Sequence, residues 1–587
     1  MTARRALITA LLALLAAASC LSVPDGPTTM CSSDNDCTAD GGYTCEEGTC
    51  WGNPPVGPFS AVLSPPSTRR DLVPRELPSI DIPINGQLGT LTVPSSVLMG
   101  GVVTTDCPQA PCDTIGATIT VTRKPQFSGG PGFKTVVNVD AKLGFAIPVL
   151  SLAATDDPYV LTVVSDSGHP VPPLRLATTV GGATMKLTLG DSDLPVLSGT
   201  LTDSTGQGLR GYRVAALGRW DQNEPATEVS SVMTTDSTGA YAVTLSDNLI
   251  GTVELVASAP PPDDNNNTHV GPTVHISNID ATRSSTHSAI AASTLGSEQS
   301  FTVHVIGLNS FGAVSDVVGA TATVSASTGA TTSFAVSDTR VTDSTGVATF
   351  KVLGGPDLIN GYTISIVPPP NSNLGALFEK PQTVPAPSGP GDVPSASPIR
   401  LGNRVTVLGF VVDRHGAPVL GALVTAKPAL RFLWALPTVS AQSFVGAIPA
   451  ATAATGSDGS FTMTVDAEIA STWGSYDLAI DPPAGSDQPA YVQQIDVVRN
   501  AAVDTLSVGT IQLPAPARIH GTIVGADHKP IKDAEIKVYY VQTQQDLCTQ
   551  FMNAPKPCTI PASLLGRNTS ADTGVFRVSL PRATATQ

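Results

Sequence analysis

The chain carries eight histidines and nine cysteines, and their spacing decides what chemistry is open to it. None of His169, His269, His275, His287, His304, His415, His520 and His528 stands four residues from another, so no helix can offer zinc a histidine pair with a Glu between. A Gly-x-Ser-x-Gly elbow and a Gly-x-x-x-x-Gly-Lys phosphate loop are also missing. His269 and His275 flank a proline in a linker, and His415 and His528 lie in turns, where polar residues are the rule. All eight read as structural, and no catalytic residue is expected. Oxygen ligands cluster at Asp263 and Asp264, followed by Asn265 to Asn267, and at Asp34, Asn35, Asp36 and Asp40. Calcium at Asp263 and Asp264 is one reading, but Asp and Asn also simply make turns, and no spacing matches a calcium loop of defined geometry. No other cofactor is expected. Cys31, Cys37, Cys45 and Cys50 form one group, Cys107 with Cys112 a second, and Cys548 with Cys558 a third. These eight read as disulfides. Zinc in the first group is disfavoured by its loose spacers and the lack of a nearby histidine. The two short loops fix loop shape rather than do redox work, since neither is a Cys-x-x-Cys.

The N-terminus supplies the compartment. Arg4 and Arg5 precede an uncharged apolar stretch from Ala6 to Ala18, then Ala17, Ala18 and Ser19 run into Cys20. That is a secretory leader by composition, too short to span a bilayer as a permanent helix. The Ala-Ala-Ser-Cys ending resembles the bacterial lipobox, with Ala17 where Leu is usual. The resemblance implies cleavage after residue 19 and lipid on Cys20, which leaves eight cysteines to pair in an oxidising compartment. Leu21 and Ser22 follow Cys20 with no Asp, which resembles the outer-membrane sorting rule. The expectation is an outer-membrane lipoprotein held by its lipid anchor, facing the periplasm or the exterior.

The formal charge of −16 repels nucleic acid and anionic head groups, so a nucleic-acid partner is excluded. Charged residues make up only 14% of the chain, while Thr, Ser, Gly, Ala and Val abound, a composition for sheets and turns. Residues 20–50 are too few to bury a stabilising core and need their four cysteines as staples. Three pairings are open. This segment is similar to the EGF-like knots that follow the lipid cysteine of some surface proteins. Residues 51–80 are Pro-rich and aperiodic and read as a semi-extended stalk.

From there a pattern recurs about every hundred residues, the size of one β-sandwich. A glycine within an apolar strand opens each unit, at Gly101, Gly199, Gly307, Gly409 and Gly521. Later in each unit an Asp-containing turn precedes an alternating strand, as in TDSTGAYAVTL, TDSTGVATFKV, GSDGSFTMTV and ADTGVFRVSL. Period two over five residues means one buried and one wet face. The expected fold is therefore all-β, with sandwiches at 81–190, 191–297, 298–370, 401–513 and 514–587 and a linker at 371–400. The last unit stops just after FRVSL, so a closing strand is missing. Either a neighbouring molecule completes the sheet or the sequence is truncated, and the hazard of open edges favours truncation.

GFVVDRHGAPVLGALV…SDGSFTMTV…SYDLAI, GTIVGADHKPIKDAEI…DTGVFRVSL and GTLTDSTGQGLRGYRV…DSTGAYAVTL resemble carboxypeptidase regulatory-like domains, a prealbumin-like variant of the Ig sandwich. The unit from Gly307 is similar also to bacterial Ig-like adhesin domains. Such modules imply a fold far better than a function. Two features could face a partner. The insertion KPALRFLWALPTVSAQSF puts Phe432, Leu433 and Trp434 in an excursion, to contact a partner or to tuck onto their own domain. GRWDQNEP sets Trp220 among acidic and amide groups, to stack on a sugar or on its own sheet edge. The functional expectation is a non-catalytic, lipid-anchored envelope protein whose sandwiches serve as spacer and as adhesive surface for a protein or glycan. The alternative is an accessory subunit of a surface enzyme or transport complex.

Overall fold

The alternating segments are strands: Phe145–Val149, Ala240–Thr244, Val347–Leu353, Ser460–Val465 and Val575–Pro581. Their apolar faces point inward, as with Phe461, Met463 and Val465 or Phe576, Val578 and Leu580. Each pairs antiparallel with the strand that opens its unit. In four units the opening glycine lies opposite an aromatic, Gly101 by Phe145, Gly199 by Tyr241, Gly409 by Phe461 and Gly521 by Phe576. A β-carbon on Gly409 or Gly521 would approach that ring to 2.7 or 2.8 Å, so only glycine lets the ring lie across the strand. In the third unit Gly307 lies beyond the paired segment and Leu374 covers it instead.

The computed structural model describes residues 31–582 apart from short internal stretches, the longest being 107–113, 260–271, 287–297, 383–392, 498–503 and 542–559. It is all-β, built of tandem Ig-like, prealbumin-like sandwiches, and five of them share one topology. Numbering the principal strands of a sandwich from its opening strand, one sheet runs third, second, fifth, sixth. The other runs fourth, first, seventh, with first and seventh parallel. Sandwich 1 spans Val97 to Leu189, sandwich 2 Val196 to Thr286, sandwich 3 Glu298 to Arg400 and sandwich 4 Val405 to Gln512. Residues 371–400 are therefore no linker, since Leu377–Gln382 and Ile399–Arg400 are the sixth and seventh strands of sandwich 3. Sandwiches 2 and 3 also share a sheet, because Thr273–Ile276 pairs with 334–337.

Sandwich 5 corrects two expectations together. Its first four strands are Pro516–Val524, Glu535–Tyr540, Ser563–Thr569 and Val575–Pro581. Its fifth, sixth and seventh come from the other end of the chain: Phe59–Ser64, Arg75–Ile80 and Gln87–Thr92. Phe59–Ser64 pairs with Glu535–Tyr540, and Gln87–Thr92 runs parallel to Pro516–Val524. The Pro-rich segment is thus sheet rather than stalk. Pro78 is tolerated because Arg75–Ile80 is the edge strand of its sheet. No strand is missing, since Phe59, Leu63, Leu72 and Val93 share one core with Ile519, Ile536, Val538, Phe576 and Leu580. Burying each such side chain contributes about 1.5–3 kcal/mol.

The consequence is cyclic. Sandwich 5 joins sandwich 1 through residues 93–96 and sandwich 4 through residues 513–515, so the succession of modules returns to its start. Side chains fasten three of the junctions. Arg175 clasps Glu224 between sandwiches 1 and 2, and Phe378 packs on Phe444 at 5.1 Å between 3 and 4. Asp466 pairs with Arg404 at 3.2 Å and accepts the Ala376 amide at 2.8 Å. Arg567 reaches Asp481 between 4 and 5. Among the described residues no helix is long and apolar enough to cross a membrane.

Candidate binding cleft at the closure sandwich

Where sandwich 5 meets sandwich 1, residues 124–132 of sandwich 1 form a hairpin loop that docks on the closing strands. Glu76 of the sixth strand holds it, its two carboxylate oxygens accepting the amides of Gln126 at 2.6 Å and Gly132 at 2.9 Å. Phe127, 7% exposed, packs on Tyr539 at 5.8 Å, and the Ala562 amide donates to the Gly129 carbonyl at 2.9 Å. Beside this contact lies a cleft of about 240 Å³, smaller than the roughly 300–1,000 Å³ typical of sites for drug-sized ligands. Arg123, Lys124, Lys134 and Lys537 line it, with Glu76 as the one carboxylate. Lys537 pairs with Glu535 at 2.7 Å, and Arg123 donates to the Asp157 carbonyl at 3.0 Å and lies over the Tyr159 ring at 5.9 Å. Burial, then Glu535 and Glu76, push the Tyr539 phenol up, so it is a proton donor at neutral pH.

The disulfide knot packs on the opposite sheet of sandwich 5. Cys31 bonds Cys45 and Cys37 bonds Cys50, which chooses one of the three open pairings. Closing loops of 14 and 13 residues contributes on the order of 3 kcal/mol each. Of the oxygen-ligand cluster in the knot, Asp34 and Asp36 serve the knot itself. Asp36 accepts the Ser32 and Ser33 amides, which hold its carboxyl below the usual range, and Asp34 accepts the Cys45 amide at 2.7 Å. Trp51, 5% exposed, meets His520 at 4.3 Å between ring centroids, and Arg577 lies over its indole at 5.4 Å. Gly52 makes the approach possible, with φ at +85° and its amide on the Arg518 carbonyl at 2.7 Å.

The two partner-surface candidates are used inside the molecule. The insertion forms helices Leu430–Ala435 and Val439–Ala447 that close over sandwich 4. Phe432 is 1% and Trp434 5% exposed, Phe432 and Leu433 pack into the core of sandwich 4, and the Phe432 ring lies tilted against Tyr476 at 5.9 Å. Phe432 and Trp434 are thus buried and Leu433 partly buried, as in the second of the two readings, in which the excursion tucks onto the molecule itself. Trp220 lies at the junction of sandwiches 1 and 2, with Arg175 over its ring at 5.3 Å and its Nε1 donating to the Asp247 carbonyl at 3.1 Å. It is an internal joint. Cys20, Cys107, Cys112, Cys548, Cys558, Asp263 and Asp264 lie outside the described residues.

One repeated device escaped the sequence reading. In sandwiches 2 to 5 a hydroxyl just ahead of the Asp-containing turn clamps the loop between first and second strands. Thr235 accepts the Tyr212 amide and donates to the Leu209 carbonyl. Thr342 does so with Ala320 and Val317, Thr455 with Ala422 and Val419, and Ser570 with Ala534 and Ile531. The signal was present as a Thr or Ser one to three residues before the turn carboxylate.

No protein-family model matches the chain, and no curated protein does. Among solved structures it is similar to the Bacillus anthracis TIE protein at 11% identity, over 73% of this chain and 74% of that one, with a TM-score of 0.14. It is similar to a streptococcal ancillary pilin at 12% identity, over 54% and 98%, with a TM-score of 0.19. The third likeness is to two B repeat units of the collagen-binding protein of Staphylococcus aureus, at 11% identity over 70% and 99%, with a TM-score of 0.12. At these scores the fold assignment rests on the strand pairing above.

Proposed function

We propose that this chain is a non-catalytic envelope scaffold, tethered by lipid on Cys20, whose closed circuit of sandwiches presents a binding surface. The observation that carries this is the composite sandwich. Both ends of the described chain are consumed in one core, and the knot, which begins 11 residues after Cys20, folds onto that core's outer sheet. A tether at Cys20 would therefore pull on the sandwich that closes the circuit. The apolar side chains are spent in separate cores, one shared by sandwiches 2 and 3, which favours a rigid platform over a catalytic cleft. A cyclic arrangement also fits a platform better than an extended spacer. Metabolic labelling with a fatty-acid analogue tests the tether: the parent incorporates label, Cys20→Ala does not, and an unlabelled parent overturns the reading.

A further inference from the structure

We infer that the cleft between sandwiches 5 and 1 binds an acidic saccharide, one pyranose ring bearing a carboxylate; this deepens the binding-surface reading above and rests on it. Charge carries the first half of the inference. On a chain of formal charge −16, four cations line this cleft; Glu76 is the carboxylate in its lining and Glu535 pairs with Lys537, so the cations still outnumber these acids by two. Glu76 already accepts two backbone amides and makes no ion pair with a cleft lysine among the described residues. Lys124 and Lys134 are exposed, and neither has a hydrogen-bond or ion-pair partner among the described residues. Long-range repulsion from the acidic surface fades within a Debye length of about 8 Å at physiological salt, so an anion inside the cleft is governed by the lysines beside it.

Shape and chemistry carry the second half. The volume of about 240 Å³ admits one ring and little more. Phe133 and Tyr539 are half-buried in its wall, offering apolar surface beside the cations. The Tyr539 hydroxyl has no partner among the described residues and is held protonated, so it is a donor for a ring hydroxyl. A pyranose carboxylate matches this set, with an apolar C–H face for an aromatic, hydroxyls for the phenol and a negative charge for Lys124 and Lys134. A free inorganic anion leaves the aromatic wall unused, and an acidic peptide such as oligoglutamate can accept from the phenol but has no C–H ring face to lay on the aromatic wall.

The site spans the composite sandwich and its neighbour, so a ligand there also stabilises closure by mass action. Calorimetric titration of the purified full chain with trigalacturonate is the test, with neutral maltotriose, inorganic phosphate and oligoglutamate as separate arms. Trigalacturonate binds, maltotriose and phosphate do not, and oligoglutamate binds more weakly. Lys124→Ala and Lys134→Ala each weaken trigalacturonate binding by about threefold to tenfold, and the double Lys→Glu variant abolishes it. Tyr539→Leu weakens trigalacturonate without changing its salt dependence. No binding by the parent, undiminished binding by a double variant with parental circular dichroism, or tighter binding of oligoglutamate or phosphate would overturn the inference. Fatty-acid labelling of Cys20 is independent of every arm, so loss of the saccharide site leaves the tethered-scaffold reading standing.

Discussion

Leu63 and Ile536 face each other across adjacent antiparallel strands, both fully buried, although nearly the whole chain lies between them. Sandwich 5 thereby ties the folding of one end to the other. Leu63→Ala lowers its stability by about 2–5 kcal/mol, and the damage appears at the far end. Hydrogen exchange read by mass spectrometry shows faster exchange across Glu535–Tyr540. Unchanged exchange there would separate the two ends.

The hydroxyl clamps set a different kind of cost. Thr455 is 3% exposed, its Oγ1 2.8 Å from the Ala422 amide and 2.6 Å from the Val419 carbonyl. Thr455→Val keeps the shape but leaves both backbone groups buried and unpaired, a loss of about 1–3 kcal/mol by urea unfolding of the chain. Thr455→Ser retains the hydroxyl and most of the stability.

Phe432 is expected to behave as core. Phe432→Ala costs about 3–5 kcal/mol in thermal or urea denaturation. Val439, 73% exposed on the second helix of the same insertion, changes stability by less than about 0.5 kcal/mol when replaced by Ser. Equal effects at the two positions would mean the insertion does not fold onto sandwich 4.

The first and fourth strands of each sandwich were legible because their patterns, a glycine in an apolar run and an alternating strand after a turn, recur in every unit, as with Gly409 and Phe461. The closing strands of sandwich 5 were not. Phe59–Ser64 finds its partner only at the far end of the chain, and Pro74 and Pro78 mask the alternation of an edge strand that tolerates them. The cleft escaped for a related reason. Lys124 and Lys537 are brought together only by closure, and no spacing along the sequence announces such a pair. Trp220 looks like a surface feature in sequence because what covers it, Arg175 of another module, is not local.

The knot should respond to acid through His520. Burial depresses its pKa below 6.5, Glu46 opposes this, and Arg577 adds to it. A base with a depressed folded pKa gives full stability above about 6.5, and that stability is lost as pH falls from there towards the folded value, because the unfolded chain takes up the proton. Thermal unfolding followed by Trp51 fluorescence, with the other tryptophans replaced, therefore shows a larger loss between pH 8 and pH 5 in the parent than in His520→Phe. A parent and variant with the same pH profile would remove His520 from the account.

Closure itself is tested most directly by cutting the circuit. A protease recognition sequence inserted between Asp193 and Leu194, ahead of the first strand of sandwich 2, divides the chain into a piece holding the closing strands and a piece holding the strands they complete. After cleavage the two pieces elute together at the mass of the intact chain and separate only in denaturant. Pieces that part in native buffer would contradict the composite sandwich.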